Sequence, residues 1–250
     1  MQLPKGVLTA NEFVVLCHGA HLNANNWYEL VMGDIDQDII GRAPRAIEVA
    51  LVHGASAIIW ATGASEKDGV KEAVYTYDCV MQELASIHLY LVRTHVSLSG
   101  MSLSELRARI NVLSVFDEVT QNTTEEVAYA ATVAKAYGCP VVVQVSSPTH
   151  IQRCYAESVK LNFTASPTSQ VFFIPVVSDT CFLDSTPADV VVSEPPHRGD
   201  NRSLWLPRLF RVFFRLMTWE QARAKAVIED VCVALARHDI YVDPDTIIKP

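Results

Sequence analysis

The chain has 250 residues, half of them apolar, which is enough to fill the core of one large domain and excludes a wholly disordered protein. Its formal charge of −8, from 28 acidic against 20 basic side chains, excludes a general nucleic-acid binder, because nonspecific affinity for polyphosphates comes from clustered Lys and Arg. The opening MQLPKGVLTANEFVVLC holds only one short apolar run, Val14 to Cys17, too short for a signal-peptide core or a membrane span, so a soluble cytoplasmic chain without a stable membrane anchor is expected.

The first strand is predicted over Phe13 to Leu16. It runs into Cys17-His18-Gly19-Ala20-His21-Leu22-Asn23, where Gly19 lets a ligand approach the backbone and His18, His21 and Asn23 offer polar groups, unless the stretch is an ordinary glycine turn. A helix over Arg42 to His53 follows. Arg42 and Arg45 in its first turns oppose the helix dipole, so they either face an anion or acidic partner or are simply exposed. The second strand, Ala57 to Ala61, ends at Thr62-Gly63-Ala64-Ser65, ahead of a helix predicted over Val70 to Ser86 that carries Glu72. Gly63 to Lys71 has the outline of a P-loop but lacks its glycine spacing and its Lys-Ser/Thr ending, which excludes an ATPase of that kind.

Residues His88 to Leu106 suit an irregular connection or a short helix, and the third strand is predicted over Ile110 to Val115. A helix over Thr124 to Tyr137 starts with Glu125 and Glu126 at its positive end and is stopped by Gly138 and Pro140. The fourth strand, Val141 to Val145, leads into the densest polar constellation of the chain, Ser146-Ser147-Pro148-Thr149-His150-Ile151-Gln152-Arg153. Two hydroxyls at a strand end, with His150 and Arg153 on the opening turns of a helix reaching Lys160, can bind an oxyanion, and His150 can move a proton near neutral pH; the plain alternative is helix capping with both side chains in water.

Further strands are predicted over Val171 to Ile174 and Asp189 to Val192. The polar loop after the latter offers His197 and Arg198 as extra ligand contacts or a solvated Pro/Gly turn. Two C-terminal helices follow, Leu204 to Met217 with Arg208, Arg211 and Arg215 along one side, and Trp219 to His238. The six cysteines lie far apart with no zinc-site spacing, and fit reduced core residues of a cytosolic protein. Alternation of Val/Ile-rich strands with helices predicts an α/β fold, a Rossmann-like three-layer sandwich with a mostly parallel central sheet. The expected organisation is one domain over residues 1–250, with 204–238 as a helical extension packed on it.

These segments, in this order, resemble the YdcF/SanA/ElyC family. Gly19, Arg42 or Arg45 with Ala46, Thr62-Gly63 and Glu72-Ala73 look like its glycine turn, Arg-x-x-Ala helix start, Ser-Gly-Gly and Glu-Ala. Asp117 to Glu126 resembles its acidic-x-x-Ser-x-Asn-Thr-x-Glu-Asn stretch, and Ser146 to Arg153 its Thr-Ser-x-x-His-x-x-Arg helix start. Ala64, Thr120 and Glu126 depart from the pattern, where the family has Gly, Ser and Asn. The resemblance spans Phe13 to Ile174 and implies a Rossmann-like domain with its pocket at the strand ends. In one branch that pocket binds S-adenosylmethionine.

The expectation is a small-molecule-binding α/β protein that acts on or with S-adenosylmethionine or another nucleotide-like anion, as a transferase or lyase. Gly19, Asn23, Arg42, Arg45, Thr62, Gly63, Asn122, Thr123, Ser146, Ser147, Arg153, His197 and Arg198 would line the site, with Glu72 and His150 as acid/base candidates and no metal. Two alternatives stand beside it. One is a hydrolase using Ser146 or Ser147 with His150, although no G-x-S-x-G surrounds either serine. The other is a noncatalytic ligand-sensing interaction protein using the arginine-bearing helix. Homo-oligomers are compatible with all three.

Overall fold

The computed structural model describes residues 8–164 and 170–181, together with Val233. All but Val233 belong to one compact unit, Met1–Val190. The predicted strand at Asp189 to Val192, the loop bearing His197 and Arg198, and both C-terminal helices lie outside the described residues.

Five strands, β1 (Phe13–Cys17), β4 (Ala57–Ala61), β7 (Ser114–Asp117), β8 (Val141–Ser146) and β9 (Phe172–Val177), pair in parallel in the order β7-β4-β1-β8-β9. Two small antiparallel ribbons, β2 (Gly33–Asp34) with β3 (Ile39–Ile40) and β5 (Glu66–Lys67) with β6 (Val70–Lys71), decorate the connections. The fold is therefore α/β with an all-parallel central sheet flanked by helices.

Side-chain alternation divides β1 between two cores. Phe13, Val15 and Cys17 face one cluster and Val14 and Leu16 the other, so the strand is apolar along its whole length because both faces are covered. The first face carries α1 (Trp27–Val31), α2 (Arg42–His53), α3 (Glu72–Gln82), α4 (Leu84–Thr94) and α5 (Leu103–Leu113). The second carries α6 (Thr123–Ala136) and α7 (Pro148–Thr164).

Two predicted boundaries move for local reasons. The expected helix from Val70 begins only at Glu72, because Asp68 and Gly69 take positive φ and turn the chain into the β5–β6 hairpin, a two-residue Asp-Gly connection. It also breaks at Glu83 into α3 and α4. The expected strand at Ile110 to Val115 is a correction: Leu106 and Ile110, one turn apart, are the buried face of α5, and extended backbone starts only at Ser114. The irregular stretch before it is the end of α4, a short turn of 3₁₀ helix at Val96–Leu98, and α5, whose first turn is capped by Ser102 Oγ accepting from Glu105 N. Among the described residues no helix is long and apolar enough to cross a membrane.

Candidate functional site

The crossover from β1 through α2 runs to β4 on one side, and that from β8 through α7 runs to β9 on the other. The direction of winding therefore reverses between the adjacent strands β1 and β8, and their C-terminal ends flank the crevice where open α/β sheets bind ligands. Gly19, Thr62, Asn122 and Ser146 all lie along this edge.

In the turn after β1, His18, Ala20 and Leu22 are buried while His21 and Asn23 are exposed. A Cβ on Gly19 would stand 2.5 Å from Glu72 Oε1 and 2.8 Å from Thr62 Cγ2, so the glycine is needed for the approach of neighbouring elements. Gly63 is tighter still, with Glu118 O 2.1 Å from the position of an added Cβ. Thr62 donates to Thr120 O at 2.5 Å, and Thr120 Oγ1 donates to Asp117 Oδ2 at 2.5 Å. The segment around Asp117 thus folds back over the second strand end through its own hydrogen bonds.

Glu72, at the start of α3 and 1% exposed, accepts from Ala20 N and from Ser65 Oγ (2.6 Å), while Ser65 Oγ accepts from Leu22 N at 3.0 Å. Its carboxyl holds the β1 turn in place, which corrects the expectation of an acid/base group facing ligand: both oxygens are engaged inside the protein. Burial raises its pKa to about 8, against the opposing effect of its two donors. Because the folded value lies above that of the unfolded chain, the stability linked to Glu72 is fully present below its ordinary range and is lost as pH rises through about 8. Melting temperature followed from pH 5 to 9 should therefore fall less steeply in Glu72→Gln than in the wild type; parallel slopes would contradict the raised pKa.

The arginines at the start of α2 have protein acceptors. Arg42 is 0% exposed; Nη1 donates to His18 O (3.3 Å) and to Gly19 O, and Nη2 donates to Ser147 Oγ at 2.8 Å. It ties the exits of β1 and β8 together beneath the crevice. Arg45 is a correction: its Nη atoms are taken by Glu48 (2.5 Å) and Asp179 (2.9 Å), so it clamps the exit of β9 and does not present a guanidinium to ligand. Asp179 also accepts from Ile40 N at 3.0 Å, closing the same clamp.

Two imidazoles sit between β1, β8, α6 and α7, with ring centroids 6.0 Å apart. His18 Nδ1 lies 2.6 Å from Glu126 Oε2 and Nε2 lies 3.2 Å from Gln144 Oε1. Burial alone would lower the His18 pKa, but Cys154 and then Glu126 beside the ring raise it to about 10. His150 Nδ1 lies 3.0 Å from Ser146 Oγ and Nε2 3.4 Å from Thr123 Oγ1. Burial, then the charges of Arg42, His18 and Arg153, lower its pKa to about 2.

The remaining predicted residues divide. Asn122 is an exposed helix cap, its Oδ1 accepting from Glu125 N at 3.1 Å and its Nδ2 donating to Glu125 Oε1 at 2.8 Å, so both ends of the amide serve α6. Asn23 is exposed at the crevice rim and donates through its backbone to His21 Nδ1 at 3.3 Å. Arg153 is exposed on the second turn of α7, and the Thr149 hydroxyl on the first turn is buried without a partner among the described residues. Sequence reasoning missed Gln144, Ser158 and Asp179. Gln144 had a signal, a lone amide in the apolar run Val141 to Val145, and the departure at Glu126 marked the other half of the His18 contact.

Two shallow hollows lie elsewhere, along α5: one of 590 Å³ lined by Leu103, Ser104, Arg107, Ala108 and Asn111, and one of 350 Å³ reaching Gly54 and Ala55 before β4. The second is lined in part by the exposed ion pair of Arg109 with Glu105 (2.8 Å), and the first by Arg107; neither includes a residue of the imidazole cluster at the strand ends. Comparison of the chain with protein-family models, with curated proteins and with solved structures returns no match.

Proposed function

We propose that the crevice between β1 and β8 binds an adenosyl or other nucleotide-like anionic small molecule, with S-adenosylmethionine the first compound to test, and that the protein acts on or with it as a transferase or lyase. The observation that carries this reading is the pair of helix N-termini, α2 and α7, flanking the switch point, with exposed Arg153 and a buried Thr149 hydroxyl that has no partner among the described residues on the α7 side. The motif order resembling the YdcF/SanA/ElyC family supports the same reading. A cytoplasmic setting belongs to it as well, supported by five free cysteines among the described residues. A homo-oligomer is compatible with it.

Titration calorimetry with S-adenosylmethionine at moderate salt should show saturable heat, and Arg153→Lys should weaken binding by about 1–3 kcal/mol by losing the planar guanidinium fork. Absence of heat and of any thermal shift with adenosyl compounds would overturn the reading. One observation favours a second, a Ser/His hydrolase: the 3.0 Å contact between Ser146 Oγ and His150 Nδ1. Covalent labelling of Ser146 by a fluorophosphonate would support it, against the complete burial of that serine.

A further inference from the structure

The hydrogen bonds around His18 have a direction that can be followed from one end to the other. Ser158 Oγ donates to Tyr155 O at 2.7 Å, which spends its only proton. The same oxygen must therefore accept at its 3.3 Å contact with Gln144, and this places the Gln144 amide nitrogen on Ser158 and the amide oxygen on His18. Facing an oxygen, His18 Nε2 carries a hydrogen. Nδ1 faces the Glu126 carboxyl at 2.6 Å, and the proton between them belongs to the imidazole, which is ordinarily the more basic group by about two pH units. Ser158, Gln144, His18 and Glu126 are all buried, so water does not scramble this order.

We propose that this chain, from Tyr155 O through Ser158 and Gln144 to His18 and Glu126, fixes His18 as an imidazolium, and that its charge holds His150, at the crevice, as a neutral imidazole. His18 and Glu126 are then positioning residues that act through His150. What the neutral ring does for a ligand rests on the crevice reading above: it meets a bound molecule as an uncharged partner with one N–H donor and one nitrogen acceptor.

The other charged and titratable neighbours are consistent with this assignment. Around His18 stand Cys154 and His150 from α7, Glu126 from α6 and Arg42 from α2, whose guanidinium donates to the His18 carbonyl; Glu72 from α3 holds the same turn through Ala20. Around His150 stand Ser146 from β8, Thr123 from α6, Arg42 from α2, Cys154 and Arg153 from its own helix, and His18. The positive charges of Arg42, His18 and Arg153 all resist a positive charge on His150.

The test is nitrogen NMR of the imidazole rings in the full-length protein. In the wild type, His18 should show two protonated ring nitrogens from pH 6 to 9 and His150 a neutral ring down to pH 5. In His18→Gln the proton affinity of His150 should rise roughly 100-fold, the effect of removing a unit charge 6.0 Å away at an effective dielectric near 20. Ser158→Ala, which frees Gln144 to turn over, should lower the pH at which His18 loses its proton. A neutral His18 ring at pH 7 in the wild type would overturn the proposal without any variant, as would a His150 titration unmoved in His18→Gln. If adenosyl compounds fail to bind while the ring signals are as stated, the crevice reading falls and the charge assignment stands; binding with a neutral His18 gives the reverse.

Discussion

Gly63→Ala is expected to lose about 3 kcal/mol or more in denaturant unfolding, at the upper end of overpacking costs. An added Cβ would meet Glu118 O at 2.1 Å, Glu118 C at 2.3 Å and Val119 N at 2.8 Å, all of them backbone. No side-chain rotation relieves such a contact. The return segment from Asp117 would have to lift away, losing Gly63 N to Thr120 O (3.0 Å) and the Thr62 contacts with Thr120. Gly19→Ala provides the internal comparison, since its closest clash is with the end of the Glu72 side chain. A smaller loss at Gly19 than at Gly63 is expected; a tolerated Gly63→Ala would show that the β4 exit does not pack against the Asp117 segment.

Arg42→Met is expected to cost about 3 kcal/mol or more as well, by a different route. The methionine fills much of the buried volume but donates nothing, leaving His18 O, Gly19 O and Ser147 Oγ without the guanidinium that bridges them. Each buried acceptor stripped of its donor costs roughly 1–3 kcal/mol. Arg42→Lys should recover part of this, because an ammonium can reach one side of the crevice but cannot span both strand exits with a planar fork. Urea unfolding of the two variants checks the order; a Met variant as stable as the wild type would remove Arg42 from the framework of the site.

Much of the fold was legible because the central strands are apolar on both faces, and the positions of β1, β4 and β8 could be read almost to the residue. The misreading at Ile110 has a simple cause. The run Ile110-Asn111-Val112-Leu113 is rich in β-branched residues, yet Val112 is exposed and Ile110 pairs with Leu106 at helical spacing, so a helix face was mistaken for a strand. At the site, sequence placed the right residues on the right edge but assigned them to a ligand. Arg45, Glu72 and Asn122 turn out to be spent on Glu48 and Asp179, on Ala20 and Ser65, and on Glu125. Partners up to 134 residues away in the chain, as for Arg45 and Asp179, leave no local trace. The helix-dipole argument nonetheless asked the right question of Arg42 and Arg45, for both required acceptors and both have them.

The strand order also sets when the site can come into being. β1 is made first but lies in the middle of the sheet, between β4 and β8. On its β4 side the chain can pair early, whereas the contact of His18 with Gln144 joins residues 126 apart. Closing so long a loop precedes any reward from the contacts it brings, which slows folding. Until β8 docks, Val14 and Leu16 lack part of their cover and His18 lacks Gln144. The late step that seats β8 is thus also the step that buries the imidazole network, and a nascent chain shorter than that strand holds half a crevice with its polar floor open to water.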